Sequence, residues 1–129
     1  MEERKKVLVV DDERDFLDVI RLRLEVNGYE VLTATGGREA LEKVRLERPD
    51  AVLLDIQMPK MDGIKVLKEL RKIDENLPVF MLTGSTDQKR FEQANRLKAS
   101  GFIIKTSDLQ REIDNITSAI RVASRYRHS

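Results

Sequence analysis

The chain has 129 residues, enough for one domain with a core that needs no disulfide or structural metal. It contains no cysteine, which excludes disulfides and thiolate metal sites, and no apolar run near the roughly 20 residues of a membrane span. A formal charge of +1 offers no overall attraction to nucleic acid or anionic lipid, so direct nucleic-acid and membrane binding are not expected. The first residues lack the apolar core of a signal peptide, and we therefore expect a cytoplasmic protein.

In the first half of the chain, short β-branched runs alternate with amphipathic segments. Residues 6–12 predict a buried strand ending in two acids, followed by a helix over 13–27 with Phe16, Ile20 and Leu24 on its inward face. The next elements are a strand, a helix and a third strand, predicted over 29–34, 37–47 and 51–55.

The second half repeats the pattern. Apolar residues at helical spacing predict a third helix, a fourth helix and a last helix that begins near residue 108. Two more strands are predicted over 78–84 and 101–105. The inward residues of these three helices are, in order, Ile64, Leu67 and Leu70; Phe91, Ala94 and Leu97; and Leu109, Ile113, Ile116 and Ile120.

Five strands separated by helices predict an α/β fold. Parallel neighbouring strands need crossover helices, and continuous apolar strands fit a sheet buried on both faces. We expect a single domain over 1–129, with its core over about 4–125. Its fold should be a doubly wound, flavodoxin-like sheet of five parallel strands.

Polar residues lie at the carboxyl ends of four of the predicted strands: Asp11 and Asp12, Asp55, Thr83, and Lys105. In open parallel sheets these ends converge on one edge, where ligands bind. Carboxylates about 4 Å apart repel by on the order of 4 kcal/mol per pair at an effective dielectric of ~20, so such a cluster takes up protons or a cation. All-oxygen ligands select a hard ion, and Mg²⁺ fits.

A carboxylate beside Mg²⁺, a lysine and a hydroxyl is equipped for phosphoryl transfer. Asp55 can act as the nucleophile and form an aspartyl phosphate. The metal and Lys105 would neutralise the charge of the phosphoryl oxygens, and Thr83 would donate a hydrogen bond.

With these residues in place, the chain resembles a response-regulator receiver domain of the single-domain, chemotaxis-regulator type. The resemblance rests on "DD" (11–12), "LLDIQMPKMDG" (53–63), "MLTG" (81–84) and "GFIIK" (101–105), and it covers nearly the whole chain. It implies a phosphoacceptor of a two-component system, with Asp55 taking a phosphoryl group from the phosphohistidine of a sensor histidine kinase or phosphotransfer protein.

The resemblance also assigns roles to the neighbouring residues. Asp11, Asp12 and Asp55 would hold Mg²⁺ together with the backbone carbonyl of Gln57, and Thr83 and Lys105 would contact the phosphoryl oxygens. Phe102 matches the aromatic that swings inward when the threonine moves. The face made by the fourth helix, fifth strand and fifth helix would then select an effector that the sequence does not identify, as a monomer or a phosphorylation-dependent dimer.

One position departs from the family pattern. The family lysine is normally followed by a proline with a cis peptide bond, but here the next residue is Thr106. A cis bond before a non-proline residue costs roughly 2.5–4 kcal/mol, which favours a trans bond and a different loop.

Three alternative functions remain open at this point. A metal-dependent phosphatase with an aspartate nucleophile would resemble Asp-x-Asp-x-Thr after the first strand, which "DDERD" lacks. A flavin-binding protein would need a Gly/Ser/Thr-rich phosphate loop there, but the segment is acidic. A phosphorylation-independent interaction module would not require all five site residues.

Overall fold

Five parallel strands form a single sheet in this computed structural model, which describes residues 4–58, 62–84, 88–105 and 108–127. The strands are β1 (Lys6–Val10), β2 (Glu30–Ala34), β3 (Ala51–Asp55), β4 (Val79–Thr83) and β5 (Gly101–Ile104). They lie in the order β2-β1-β3-β4-β5. The predicted doubly wound sheet is confirmed.

A helix follows each strand. The helices are α1 (Arg14–Val26), α2 (Gly37–Glu47), α3 (Gly63–Ile73), α4 (Gln88–Arg96) and α5 (Leu109–Arg127). None of them, over the residues the structure describes, is both long and apolar enough to cross a bilayer.

The two faces of the sheet are covered by different helices because strand side chains alternate between the faces. On one face, Val7, Val9 and Leu53 pack with α1 and α5; on the other, Leu8 and Leu54 pack with α2, α3 and α4. The inward residues predicted for the last helix are buried at Ile113, Ile116 and Ile120, whereas the side chain of Leu109 lies outside the described part.

The chain reverses its winding direction between β1 and β3, which are adjacent in the sheet although β2 lies between them in sequence. Val10 pairs with Leu54, so the residues that follow, Asp11 and Asp55, leave the sheet side by side. A crevice opens at this switch point, where open α/β sheets bind their ligands.

Two sequence-based details are wrong. The first strand ends at Val10 rather than at residue 12, because the Asp11 carboxylate accepts a hydrogen bond from the N–H of Glu13 (3.0 Å) and turns the chain. In α1 it is Leu17, not Phe16, that is buried with Ile20 and Leu24. Phe16 is half-buried and contacts the site described below.

Gly63 brings the start of α3 against the end of β3. Its N–H donates to the carbonyl of Ile56 at 3.0 Å. A Cβ added there would lie 2.2 Å from the carbonyl oxygen of Asp55 and 2.8 Å from the Cα of Ile56. Only glycine fits between these backbone atoms, which explains the Gly in the "MDG" segment.

We predict that Gly63→Ala lowers the free energy of unfolding by at least about 2 kcal/mol, because rigid backbone would have to move. Urea unfolding followed by circular dichroism measures this. Gly36→Ala is the matched control, since its Cβ would meet no atom within 4 Å. Equal losses in the two variants would contradict the steric argument.

Candidate functional site

Three carboxylates meet at the carboxyl edge of the sheet. Each of Asp11, Asp12 and Asp55 offers an oxygen within 4.8 Å of the others. Asp11 is 0% exposed and Asp55 is 6% exposed, whereas Asp12 faces solvent. The strand-end acids predicted from the sequence therefore form one cluster with two members in the interior.

Hydrogen bonds to the local backbone set the orientation of the two buried carboxylates. Asp55 Oδ1 accepts the N–H of Gln57 at 3.0 Å, and Asp11 Oδ1 accepts that of Glu13 at the same distance. Both are side-chain turns in which an aspartate binds the backbone two residues on. In each acid the second oxygen, Oδ2, is left to face a shared partner.

That shared partner is Lys105. Its Nζ donates to Asp11 Oδ2 and, at 3.3 Å, to Asp55 Oδ2. Its backbone N–H donates to the carbonyl of Thr83 at 2.7 Å, which fixes the point where the lysine leaves the sheet edge. The ammonium also lies 4.6 Å from the ring centroid of Phe16, a distance at which a cation is attracted to the ring face.

These contacts shift the proton affinities of both groups. Burial raises the pKa of Asp55, and the charge of Asp11 raises it further, against the opposing effect of Lys105 and the Gln57 N–H. Burial alone lowers the pKa of Lys105, but its hydrogen bonds and attraction to Asp11 and Asp55 outweigh burial, so that pKa lies above its ordinary value. Lys105 is therefore a fixed positive charge at neutral pH.

Thr83, Phe102 and Gln57 lie close to this cluster. Thr83 ends β4 beside β3, where Leu82 pairs with Asp55, and it is 4% exposed. Phe102 is half-buried on β5, and its ring centroid lies 4.7 Å from that of Phe91 on α4. Gln57 is exposed beside Asp55. Thr106 lies outside the described residues, so the prediction of a trans Lys105–Thr106 bond stays a prediction.

A cleft of about 790 Å³ opens over the cluster. Its walls include residues that the sequence did not single out: Asp62 and Lys65 from the start of α3, and Arg90 from α4. Phe16 was missed in a similar way, since it was interpreted as core. Phe16 lies one helical turn after the acidic pair in the sequence, and that position could have indicated that it is near the site. The sequence around Arg90 gives no such indication.

The comparisons with known proteins give the family. The model of the response regulator receiver domain matches residues 7–117. The chain belongs to the response regulator receiver domain family. Receiver domains of two-component systems are signalling modules that interact with histidine kinases and downstream effectors.

Its relatives are response regulators. The receiver domain is 45% identical over 84 residues to the alkaline phosphatase synthesis transcriptional regulatory protein PhoP of Bacillus subtilis, covering 65% of this chain and 35% of PhoP. It is 35% identical over 125 residues to the probable transcriptional regulator ycf27 of Porphyridium aerugineum, covering 95% of this chain and 52% of that protein. The chain thus spans between a third and about half of the curated relatives named here.

Solved structures agree in fold. A CheY-like response regulator receiver domain protein from Methanospirillum hungatei superposes with a TM-score of 0.87 at 27% identity, covering 96% of this chain and 99% of that one. The chemotaxis response regulator CheY4 of Vibrio cholerae gives 0.82 at 30% identity, covering 91% and 99%.

The donor atoms of the site fit a hard divalent ion. Receiver domains typically bind Mg²⁺ at an acidic pocket, and Asp11, Asp12 and Asp55 form an acidic cluster in this domain. Carboxylate oxygens are the ligands that Mg²⁺ prefers. The negative charge of Asp11, which contributes to the raised pKa of Asp55, also favours a cation bound between the two acids.

The raised pKa of Asp55 predicts that Asp55→Asn stabilises the metal-free receiver domain. A carboxylate whose pKa is higher in the folded than in the unfolded protein destabilises the fold where it is ionised. We expect the melting temperature to rise by about 3 °C near neutral pH, roughly 1 kcal/mol. The gain should vanish as pH falls below about 4, where Asp55 is protonated in both states.

Thermal melts in a chelating buffer, near pH 7 and near pH 3.5, measure this difference. Asp18→Asn, at an exposed position of α1, is the control. A melting temperature of Asp55→Asn below that of the wild type near pH 7 would show that the pair with Lys105 outweighs burial.

Proposed function

We propose that Asp55 is the phosphoacceptor of this receiver domain, and that it takes the phosphoryl group from the phosphohistidine of a sensor histidine kinase or phosphotransfer protein. The position of Asp55 supports this most directly. It is the one carboxylate of the cluster that is both largely buried and part of the cleft wall. Asp11 is 0% exposed and is not part of that wall, and Asp12 is exposed.

In the transfer, a carboxylate oxygen of Asp55 forms a bond to phosphorus while the phosphorus–nitrogen bond of the donor breaks. The electron pair of that bond returns to the imidazole of the donor histidine. Lys105 neutralises charge on the phosphoryl oxygens and Thr83 donates a hydrogen bond to them. Later attack by water returns the free carboxylate and inorganic phosphate.

Asp11, Asp12, Asp55 and the backbone carbonyl of Gln57 would hold Mg²⁺. When bound, the ion supplies positive charge opposite the phosphoryl oxygens. The turns at Asp11 and Asp55 position these oxygens in advance, so little rearrangement of the backbone is needed. Lys105, which bridges Asp11 and Asp55, would transfer its contact from these acids to the phosphoryl oxygens.

The output surface is formed by α4, β5 and α5. Phosphorylation would draw Thr83 towards the site and let Phe102 move inward, which changes this surface. Ile104 on β5 and Val122 on α5 are each 51% exposed there, apolar area that an effector or a second copy would cover. We infer a cytoplasmic protein that acts as a monomer or a phosphorylation-dependent dimer, on an effector that remains unknown.

The phosphatase alternative would need a second carboxylate near Asp55 as a general acid. Asp62 is the acid that follows Asp55 on the cleft wall, but its Oδ1 already accepts the N–H of Ile64 at 2.9 Å and a guanidinium N–H of Arg90 at 3.1 Å. Asp62 therefore caps α3, and the geometry favours the phosphoacceptor.

We predict that Asp55→Asn abolishes labelling by acetyl phosphate, because an amide oxygen is a far weaker nucleophile than a carboxylate. Intact-mass measurement with and without Mg²⁺ should show one phosphoryl group on the wild-type protein, only with Mg²⁺. Asp18→Asn should be labelled as the wild type is. Equal labelling of Asp55→Asn would place the acceptor elsewhere.

Lys105→Ala should still be phosphorylated, at a rate reduced about tenfold or more, but should lose the change in the output surface. The reason is that Lys105 connects the phosphoryl group to the end of β5. Amide chemical shifts of β5 and α5, compared before and after phosphorylation, report this. Lys68→Ala, exposed on α3, is the control. Wild-type shift changes in Lys105→Ala would contradict this role.

A further inference from the structure

Helix α4 is packed more weakly than the helices on the rest of the same face. Of its nine residues only Ala94 is buried, whereas α3 buries Val66, Leu67 and Leu70. Its main apolar contact besides Ala94 is the tilted ring pair of Phe91 and Phe102. A segment with few buried apolar contacts opens at low free energy, so polar contacts have a large influence on its position.

At the carboxyl end of α4, the guanidinium of Arg71 donates hydrogen bonds to the backbone that follows the helix. Its Nε donates to the carbonyl of Leu97 at 2.8 Å and its Nη2 to that of Lys98 at 2.9 Å. Its Nη1 donates to the carbonyl of Leu77 at 2.8 Å. Arg71 lies on α3, and this end of α4 is therefore fixed to the body of the domain at a distance from the phosphorylation site.

At the amino-terminal end, Arg90 makes the corresponding contact to the site. One of its guanidinium nitrogens, Nη1, lies 3.1 Å from Asp62 Oδ1 and 3.3 Å from the carbonyl oxygen of Ile56. Ile56 directly follows Asp55, and Asp62 is the N-cap of α3. Arg90 thus connects the first turn of α4 to the loop that begins at the phosphoacceptor.

Arg90 also lines the cleft that contains Asp55. A guanidinium forms charge-assisted, often bidentate hydrogen bonds with phosphate oxygens, whereas Arg90 contacts Asp62 through Nη1 and the side chain of Asp62 is 35% exposed. Phosphorylation of Asp55 would replace the single negative charge of its carboxylate with the roughly two negative charges of a phosphoryl group. The phosphoryl group would compete with Asp62 for Arg90.

We propose that Arg90 ties the first turn of α4 to the loop after Asp55, and that phosphorylation of Asp55 breaks this tie by drawing the guanidinium from Asp62 and the Ile56 carbonyl to the phosphoryl oxygens. Arg90 is then a positioning residue that couples the site to α4, acting beside Thr83 and Phe102. The second half of this inference rests on the proposed phosphorylation of Asp55; the first half does not.

Hydrogen–deuterium exchange of peptides covering residues 88–96 tests the proposal, in the full chain with Mg²⁺, with and without acetyl phosphate. The variants are Arg90→Ala, Asp62→Asn and Arg96→Ala. Asp62→Asn keeps an oxygen that can cap α3 but removes the charge that attracts Arg90. Arg96 has the same side chain on the same helix but is exposed at the other end, so Arg96→Ala is the matched control.

Without acetyl phosphate, we expect exchange in the first turn of α4 to be about threefold faster in Arg90→Ala than in the wild type, the factor expected for one partly exposed ion pair. Asp62→Asn should also make exchange in this turn faster. Adding Arg90→Ala to Asp62→Asn should increase the exchange rate by less than Arg90→Ala does in the wild-type protein. Arg96→Ala should exchange as the wild type does. Peptides of α2 (37–47) should be unchanged, which separates loss of the tie from general unfolding.

With acetyl phosphate, the first turn of wild-type α4 should exchange at a changed rate, because Arg90 then binds the phosphoryl oxygens instead of Asp62, whereas Arg90→Ala should show less than half of that change. Wild-type behaviour of Arg90→Ala in both conditions would overturn the inference, and so would additive effects of Arg90→Ala and Asp62→Asn. The intact mass of the same samples shows whether Asp55 has been phosphorylated, and so distinguishes failure of the proposed function from failure of the proposed role of Arg90. If the wild type carries no phosphoryl group, the proposed function fails, while the comparison without acetyl phosphate still decides whether the tie exists.

Discussion

The repulsion between Asp11 and Asp55, balanced by Lys105, is the constraint on which the rest of this site depends. Two carboxylates in the interior, next to a third at the surface, are unfavourable without a cation. Lys105 supplies one positive charge to two acids, which leaves the cluster short of positive charge. An excess of negative charge of this kind favours a divalent cation.

Local hydrogen bonds and close backbone packing hold the two buried carboxylates in this unfavourable arrangement. Asp11 and Asp55 each bind the backbone N–H two residues on, so their orientation is set within one turn of chain. Gly63 lets α3 begin against the backbone of Asp55 and Ile56, closer than any residue with a Cβ allows. The backbone around Asp55 therefore has little freedom.

The weakly packed part of the domain is the side that carries α4 and β5. The strands β1 and β3 lie at the centre of the sheet, whereas β5 is an edge strand and α4 buries one residue completely. The acidic cluster lies at the centre of the sheet, and the contacts of Lys105 and Arg90 connect it to this weakly packed edge.

Features that depend on neighbouring residues in the sequence could be predicted without coordinates, whereas features that depend on tertiary packing could not. The sheet, its helices and the convergence of Asp11, Asp12, Asp55, Thr83 and Lys105 were predictable, because apolar periodicity is a local property and parallel strands place their carboxyl ends at one edge. The end of β1 was not, since one hydrogen bond from the N–H of Glu13 turns the chain there. The burial of Leu17 instead of Phe16 was not either, since it depends on how α1 packs against the sheet. The bridge from Lys105 to two acids and the contact of Arg90 with Asp62 join residues 28 or more positions apart. No periodicity encodes such pairs, because they depend on where packing places each helix and on which rotamer reaches across the gap.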